Sequence, residues 1–150
     1  MPDILLVQGP NMSYLGKRQP EIYGRTSAAQ LDAMLRAHAK KNRYGLEIFY
    51  THSEAAAIER LYRAAEEGCD GLVMNPAAWI FAGHPMRNCL EAVPFPYIEV
   101  HMTNIEKRGF KSILAPAAVG VVAGFGVQSY VIGLEAMLEH LKATKKKRVK

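Results

Sequence analysis

Residues 4–24 read Ile4-Leu5-Leu6-Val7-Gln8-Gly9-Pro10-Asn11, then MSYLGKRQPEIYG through Gly24. Four consecutive apolar residues, Ile4 to Val7, have the composition of a strand buried on both faces, as in a parallel sheet. Gly9-Pro10-Asn11 stops that strand. Residues 12–24 mix Gly, Pro, charge and aromatics with no period, which predicts a loop without regular structure. Long loops of this kind in compact domains are usually lids or binding loops. This one carries Asn11, Arg18, Glu21 and Tyr23. A cation beside a phenol favours the phenolate, so Tyr23 reads as a candidate base with Arg18 as its activator. A tyrosine packed beneath a loop is the competing reading.

The chain has 150 residues, enough for one domain with its own core. A 49% apolar and 22% charged composition is that of a globular domain. No apolar run approaches the roughly 18 residues of a membrane span. Met1-Pro2-Asp3 leads straight into the first strand, which leaves no room for a signal peptide. The two cysteines, Cys69 and Cys89, read as reduced thiols of a cytoplasmic protein. The net charge of +5 is concentrated in 142–150, where Lys142, Lys145, Lys146, Lys147, Arg148 and Lys150 lie. Without them the domain is close to neutral and shows no basic stripe, so nucleic acid is not expected as a partner. The stretch 142–150 reads as a frayed, disordered tail on a single domain covering 1–150.

Outward from the first strand, strands and helices alternate. Ser27 with Gln30 makes a capping box for a helix whose apolar face carries Leu31, Met34, Leu35 and His38. Leu46 to Tyr50 is a second strand. Ser53-Glu54 starts a second helix with Ile58, Leu61, Tyr62 and Ala65 expected inward. Residues 71–74 form a third strand ending at Asn75-Pro76. A short helix opens at Gly83-His84-Pro85, Tyr97 to His101 is a fourth strand, and Gly120 to Gly124 a fifth. A last helix runs from Val127 to about Lys142. This succession predicts an α/β fold: a doubly wound, flavodoxin-like, five-stranded parallel sheet of order 2-1-3-4-5 with helices on both faces. Ligands of such sheets bind beyond the carboxyl ends of the strands. Asn11, Asn75, Glu99 and His101 all fall there.

Glu99 and His101 are two apart on one strand and share a face, so the carboxylate can orient the imidazole; a structural hydrogen bond at a strand end is the alternative. Backbone N–H groups at Met102 and Thr103, in the turn that follows, can cradle a carboxylate or phosphate. Arg108 and Lys111 would add positive charge for an acidic ligand, unless they belong to a solvated basic loop. His52 reads as a neighbour of a helix cap, and His38 and His140 as structural. The glycines 120, 124 and 126 lack the spacing and place of a dinucleotide fingerprint. No His, Cys and carboxylate cluster has metal-ligand spacing, so neither metal nor cofactor is expected.

These residues carry a resemblance. ILLVQGPNMSYLGKRQPEIYG is similar to the first motif of type II 3-dehydroquinate dehydratases, and YIEVHMTN to their fourth-strand motif. DGLVMNPAAW, SEAAAIERLY and SILAPAAVGVVAGFGVQSY match further blocks, in order, over residues 4–140. The resemblance implies a flavodoxin-like fold, trimers assembling into a dodecamer, and anti elimination of water from 3-dehydroquinate without metal or cofactor, in the shikimate or quinate pathway. It implies Tyr23 as the base taking the proton alpha to the ketone, Arg18 as the cation that keeps it ionised, and Asn11 as holder of an enolate-stabilising water. Asn75, His101, Met102 and Thr103 would grip the substrate's hydroxyls and carboxylate, with Arg108 on a mobile lid.

Several positions depart from that pattern. Phe81 stands where the resemblance implies the histidine that protonates the leaving hydroxyl, which would leave Glu99 without the partner it orients. His84, three residues on, is a possible substitute. Asn88 replaces an aspartate that reaches a neighbouring subunit's site. Lys111 replaces a substrate-binding arginine, in a loop one residue shorter, and lacks its planar fork. Tyr50-Thr51-His52 stands for Gln-Ser-Asn. Three readings follow: a dehydratase, weakened by loss of its acid; an enzyme of the same scaffold acting on a related hydroxy-keto acid, with Trp79 and Phe81 making the mouth apolar; or a non-catalytic binding or assembly protein.

Overall fold

The Ile4–Val7 run lies where its composition demands, in the middle of a sheet. In the computed structural model, which describes residues 1–149, β1 (Asp3–Gln8) is flanked by β2 (Gly45–Tyr50) and β3 (Gly71–Asn75). β4 (Tyr97–His101) and β5 (Gly120–Ala123) follow β3, giving the order β2-β1-β3-β4-β5. All four pairings are parallel. This is the flavodoxin-like order expected from the sequence.

Alternation along β1 divides two cores. Ile4 and Leu6 join α2 (Ala28–Asn42) and α6 (Gln128–Arg148) through Leu31, Leu35, Tyr130 and Leu134. Leu5 and Val7 face α3 (Glu54–Glu66) and α5 (His84–Ala92) through Ala57, Leu61, Met86 and Leu90. Each fully buried Leu or Val is worth roughly 1.5–3 kcal/mol against exposure. The Ser27–Gln30 capping box forms reciprocally at the start of α2. Ser53 caps α3, its hydroxyl accepting from the Ala56 N–H.

Three expectations change. The stretch after β1 holds a 3-10 turn at Met12–Tyr14 and a one-turn helix, α1 (Pro20–Tyr23). Pro20 at the first helical position favours that turn, and buried Met12 and Leu15 pin the segment to the core. The fully buried residues of α3 are Ala57, Arg60, Leu61 and Ala64; Ile58 and Ala65 pack partly buried against the same core as expected, while Tyr62 is exposed. The sequence signal followed the bulkier side chains, whereas the close approach to the sheet takes alanines. Arg60 is buried because it pairs with Glu47 and Glu67. Finally, α6 continues to Arg148, so the expected disordered tail is helical through that residue; Lys150 lies outside the described residues. Nothing between Lys142 and Arg148 breaks a helix, and cations in its last turn complement the dipole.

Candidate active site

The carboxyl ends of β1, β3 and β4 are level, with Gln8 opposite Asn75 and Met74 opposite Glu99. Gly9 allows the close approach after β1: its N–H donates to Asn75 O at 2.9 Å, and a Cβ there would come within 2.8 Å of Pro76 O. Asn11 follows in the left-handed region at φ 69°, tolerable for Asn. Beyond these ends lies a pocket of about 180 Å³, below the roughly 300–1,000 Å³ of drug-sized sites and sized for a small ligand. Asn11, Arg18, Tyr23, Asn75, Phe81, His101, Met102, Thr103 and Arg108 line it, with Ile80, Ile105 and Phe110 among the apolar residues. A larger groove, about 710 Å³, opens between the C-terminal half of α6 and Pro94–Pro96, at the opposite end of the strands. The smaller pocket is where such sheets bind ligands, and the convergent polar groups are there.

Tyr23, the last residue of α1, is held between two guanidinium groups. The Arg18 Cζ lies 4.8 Å from the centre of its ring, and Arg108 Nη1 donates to its hydroxyl at 3.4 Å. The same Arg108 nitrogen donates to Thr103 Oγ1 at 3.1 Å, and the Arg108 Cζ sits 4.7 Å over the Phe110 ring.

Asn75 is buried and committed on both ends of its amide. Its Nδ2 donates to Tyr130 Oη at 2.8 Å and its Oδ1 accepts from the Ala77 N–H at 3.1 Å. Tyr130 in turn donates to Gln8 Oε1 at 2.8 Å. Burial pushes the Tyr130 phenol well above its ordinary pKa, so it serves as a neutral relay.

Glu99 was expected to lack a partner; it has three. His101 Nε2 lies 2.8 Å from its Oε2, and the hydroxyls of Tyr97 and Ser112 donate to its Oε1 at 2.9 and 3.0 Å. All four side chains are buried. Since Glu99 and His101 share one face of β4, the partner of the carboxylate is already on its own strand. Burial, then the Glu99 charge, pushes the Tyr97 phenol up, so it stays a donor.

Lys111, Asn88 and His84 stand apart. Lys111 is exposed and does not line the pocket. It sits between Phe110, which faces the pocket, and Ser112, which bonds Glu99, so its side chain is directed the other way. The pocket's positive charge comes from Arg18 and Arg108. His84 begins α5 whereas Phe81 belongs to α4 (Trp79–Ala82), and Gly83 breaks the chain between them; the shared helical face expected of positions 81 and 84 does not exist. Asn88 is exposed on α5, outside the pocket. Trp79 is buried in the α3–α5 core, leaving Phe81 and Phe110 as the aromatic residues of the mouth.

Sequence reasoning missed Tyr97, Ser112, Tyr130, Phe110 and the role of His52. The Asn11 N–H donates to His52 Nδ1 at 3.0 Å, which ties the start of the loop to the end of β2. The sheet order was the available signal: β2 neighbours β1, so residue 52 had to lie near residue 11. Among the described residues no group of three or more His, Cys, Asp or Glu side chains could hold a metal ion, and no helix is long and apolar enough to cross a membrane.

A doubly wound sheet with a phenol, two guanidinium groups and a carboxylate–imidazole pair at its carboxyl edge defines a flavodoxin-like protein with an acid–base site for a small ligand. The chain belongs to the class II dehydroquinase family, whose pattern it matches over residues 2–138. A 3-dehydroquinate dehydratase, a hydro-lyase, of Xylella fastidiosa strain M23 is 40% identical over 144 residues, 94% of this chain and 97% of its own. One of Synechococcus strain CC9605 is 39% identical over 142 residues, 93% of this chain and 97% of its own. The crystal structure of a type II dehydroquinase from Butyrivibrio crossotus superposes with a TM-score of 0.88 at 28% identity, covering 91% of this chain and 97% of that one.

Proposed function

We propose that this chain is a hydro-lyase that eliminates water from 3-dehydroquinate through an enolate. The observation that carries the reading is the phenol of Tyr23, held by Arg18 and Arg108 in the pocket that His101 and Asn75 also line. Tyr23 as phenolate takes the C2 proton, and the electrons pass to the ketone oxygen. Asn11, with a water, faces that oxygen; Met102 and Thr103 hold the carboxylate through their N–H groups. When the enolate collapses, the C1 hydroxyl leaves with a proton.

The geometry supports a donor other than position 81 for that proton. His101 lines the pocket, and its Nε2 is held by Glu99, the arrangement that orients an imidazole for proton transfer. On this reading Phe81 costs a contact to the ligand, and the acid remains. Following enone absorbance on mixing with 3-dehydroquinate tests the activity; no signal above buffer at high enzyme concentration overturns it.

A second reading is favoured by one observation: Phe81 packs edge-on against Phe110, with ring centres 5.2 Å apart. A mouth closed on itself by two phenyl rings fits a weakened or non-catalytic member, or one with another hydroxy-keto acid as ligand. Substituting Phe81→His separates these, since a large gain of activity marks position 81 as a missing catalytic group.

We also infer a homo-oligomer, trimers assembling to a dodecamer, in the cytoplasm. The exposed position of Asn88 on α5 supports its facing a neighbour's site, and the unbridged thiols Cys69 and Cys89 fit a reducing compartment. Sedimentation equilibrium reads the assembly directly.

A further inference from the structure

Residues 104–110, after β4, close into a turn. The Arg108 N–H donates to the Asn104 carbonyl at 3.3 Å, the Gly109 N–H to the Glu106 carbonyl at 3.0 Å and the Phe110 N–H to the Ile105 carbonyl at 2.9 Å. Gly109 stands at φ 75°, a left-handed conformation that glycine takes without strain. The side chains on either side of it meet: the Arg108 Cζ lies 4.7 Å from the centre of the Phe110 ring. The same carbon lies 5.8 Å from the centre of the Tyr23 ring, and Arg108 Nη1 donates to the hydroxyls of Tyr23 and Thr103. Phe81 meets Phe110 in a T-shaped contact, ring centres 5.2 Å apart and planes at 89°, while 53% of its own surface stays exposed. Phe81, Phe110, Arg108 and Tyr23 therefore follow one another in contact.

Arg108 is exposed, and among the described residues no carboxylate pairs with it. A long side chain in water samples many rotamers, so its place comes from what it touches. The two hydroxyls hold one nitrogen. The Phe110 ring attracts the guanidinium through its quadrupole, and a T-shaped neighbour steadies that ring in turn.

We propose that Phe110, braced by Phe81, is a positioning residue for Arg108, holding the guanidinium at the Tyr23 and Thr103 hydroxyls. The proposal rests on the reading of Tyr23 as the base of the elimination. It gives position 81 a part other than proton donor: its phenyl ring steadies the arginine beside the base.

The test is a double-mutant cycle in the full chain between Phe110→Leu and Arg108→Ala. It is read twice, as kcat/KM on 3-dehydroquinate and as Kd for 3-dehydroshikimate, the enone product of the elimination. Phe110→Leu alone is expected to worsen each by about three- to tenfold. In the Arg108→Ala background the same substitution changes them by less than about twofold, because the residue it acts through is gone. Phe110→Tyr, which keeps the ring, recovers to within about twofold of the unsubstituted protein. Phe81→Leu costs about two- to fivefold, and that effect disappears in the Phe110→Leu background. Arg108→Lys keeps the charge and loses the planar face, and is expected to lose about as much as Phe110→Leu. A Phe110→Leu loss of equal size in both backgrounds overturns the proposal, as does an Arg108→Lys protein with unchanged constants. If 3-dehydroquinate does not react while the cycle on binding shows the coupling, the elimination reading alone fails. If it reacts and the two substitutions are additive, the positioning proposal alone fails.

Discussion

Glu99 Oε2 lies 2.8 Å from His101 Nε2, two residues apart on one face of β4, with both side chains buried. On the proposed reading of the reaction, this pair assigns His101 the role of proton donor. Replacing His101 by Ala is expected to lower kcat on 3-dehydroquinate by about 10² to 10⁴, and Glu99→Gln, which keeps the shape and loses the charge, by less. Steady-state rates of the two variants decide this; a His101→Ala enzyme with unchanged kcat removes the role.

Tyr97 and Ser112 hold the other oxygen of Glu99. Tyr97→Phe deletes one of two donors and is expected to cost about 1 kcal/mol of stability, with kcat falling severalfold and KM unchanged. Ser112 also accepts from the Leu114 and Ala115 N–H groups, so Ser112→Ala leaves two N–H groups without a partner and costs about 2 kcal/mol or more. Urea midpoints and the kcat–KM split measure both. An unchanged kcat in Tyr97→Phe would show that Ser112 alone aims the carboxylate.

Tyr23→Phe removes the base and leaves its ring between Arg18 and Arg108. The expected outcome is loss of turnover by about 10² or more with ligand affinity retained to within a few fold. Arg108→Ala frees both the Tyr23 and the Thr103 hydroxyls and should weaken both turnover and binding. Rates together with binding of 3-dehydroshikimate discriminate the two effects.

Asn75 is positioned from the core. In Tyr130→Phe the Gln8 Oε1 loses its donor and the Asn75 Nδ2 keeps only its weak contact with Met12 Sδ. Gln8 Nε2 already has no partner among the described residues. A destabilisation of about 1–3 kcal/mol is expected, with a higher KM as the amide loses its orientation. Chemical denaturation and substrate titration of this variant provide the check.

Alkaline pH should unfold the protein through its buried phenols. Burial, then the Glu135 charge, pushes Tyr44 up to about 12, and burial likewise raises Tyr50, Tyr97 and Tyr130. Above pH 10 the unfolded chain ionises these groups while the folded one keeps them protonated. The stabilisation is complete below pH 10 and is lost as pH rises through the folded values. Each such group contributes a slope of roughly 1.4 kcal/mol per pH unit while the two states differ. Denaturant midpoints at pH 9 and pH 11 test this, and Tyr44→Phe should flatten the decline.

Much of the architecture was legible because it rests on local chemistry. The Ile4–Val7 run, the Ser27–Gln30 box, the Ser53 cap and the glycine-marked turns each act within a few residues, and together they predict five strands, their order and the edge that carries the site. The family resemblance, carried by blocks over residues 4–140, named Tyr23, Arg18, Asn75, His101 and Arg108, all of which line the pocket. Less was legible where the determining partner is remote. The burial of Arg60 depends on Glu47 across the sheet, and the alanine face of α3 on how closely that helix approaches.

By itself the sequence determined the parallel sheet, its central buried strand and the set of side chains gathered at the carboxyl edge. Periodicity, caps and chain reversals encode those through neighbouring residues. Only the tertiary structure decided that Tyr97 and Ser112 hold the other oxygen of Glu99, that Lys111 lies outside the pocket, and that Phe81 closes on Phe110. The contacts of Ser112 with Glu99 and of Phe81 with Phe110 join residues on separate elements or loops, and they exist only once packing has brought those segments within a few ångströms.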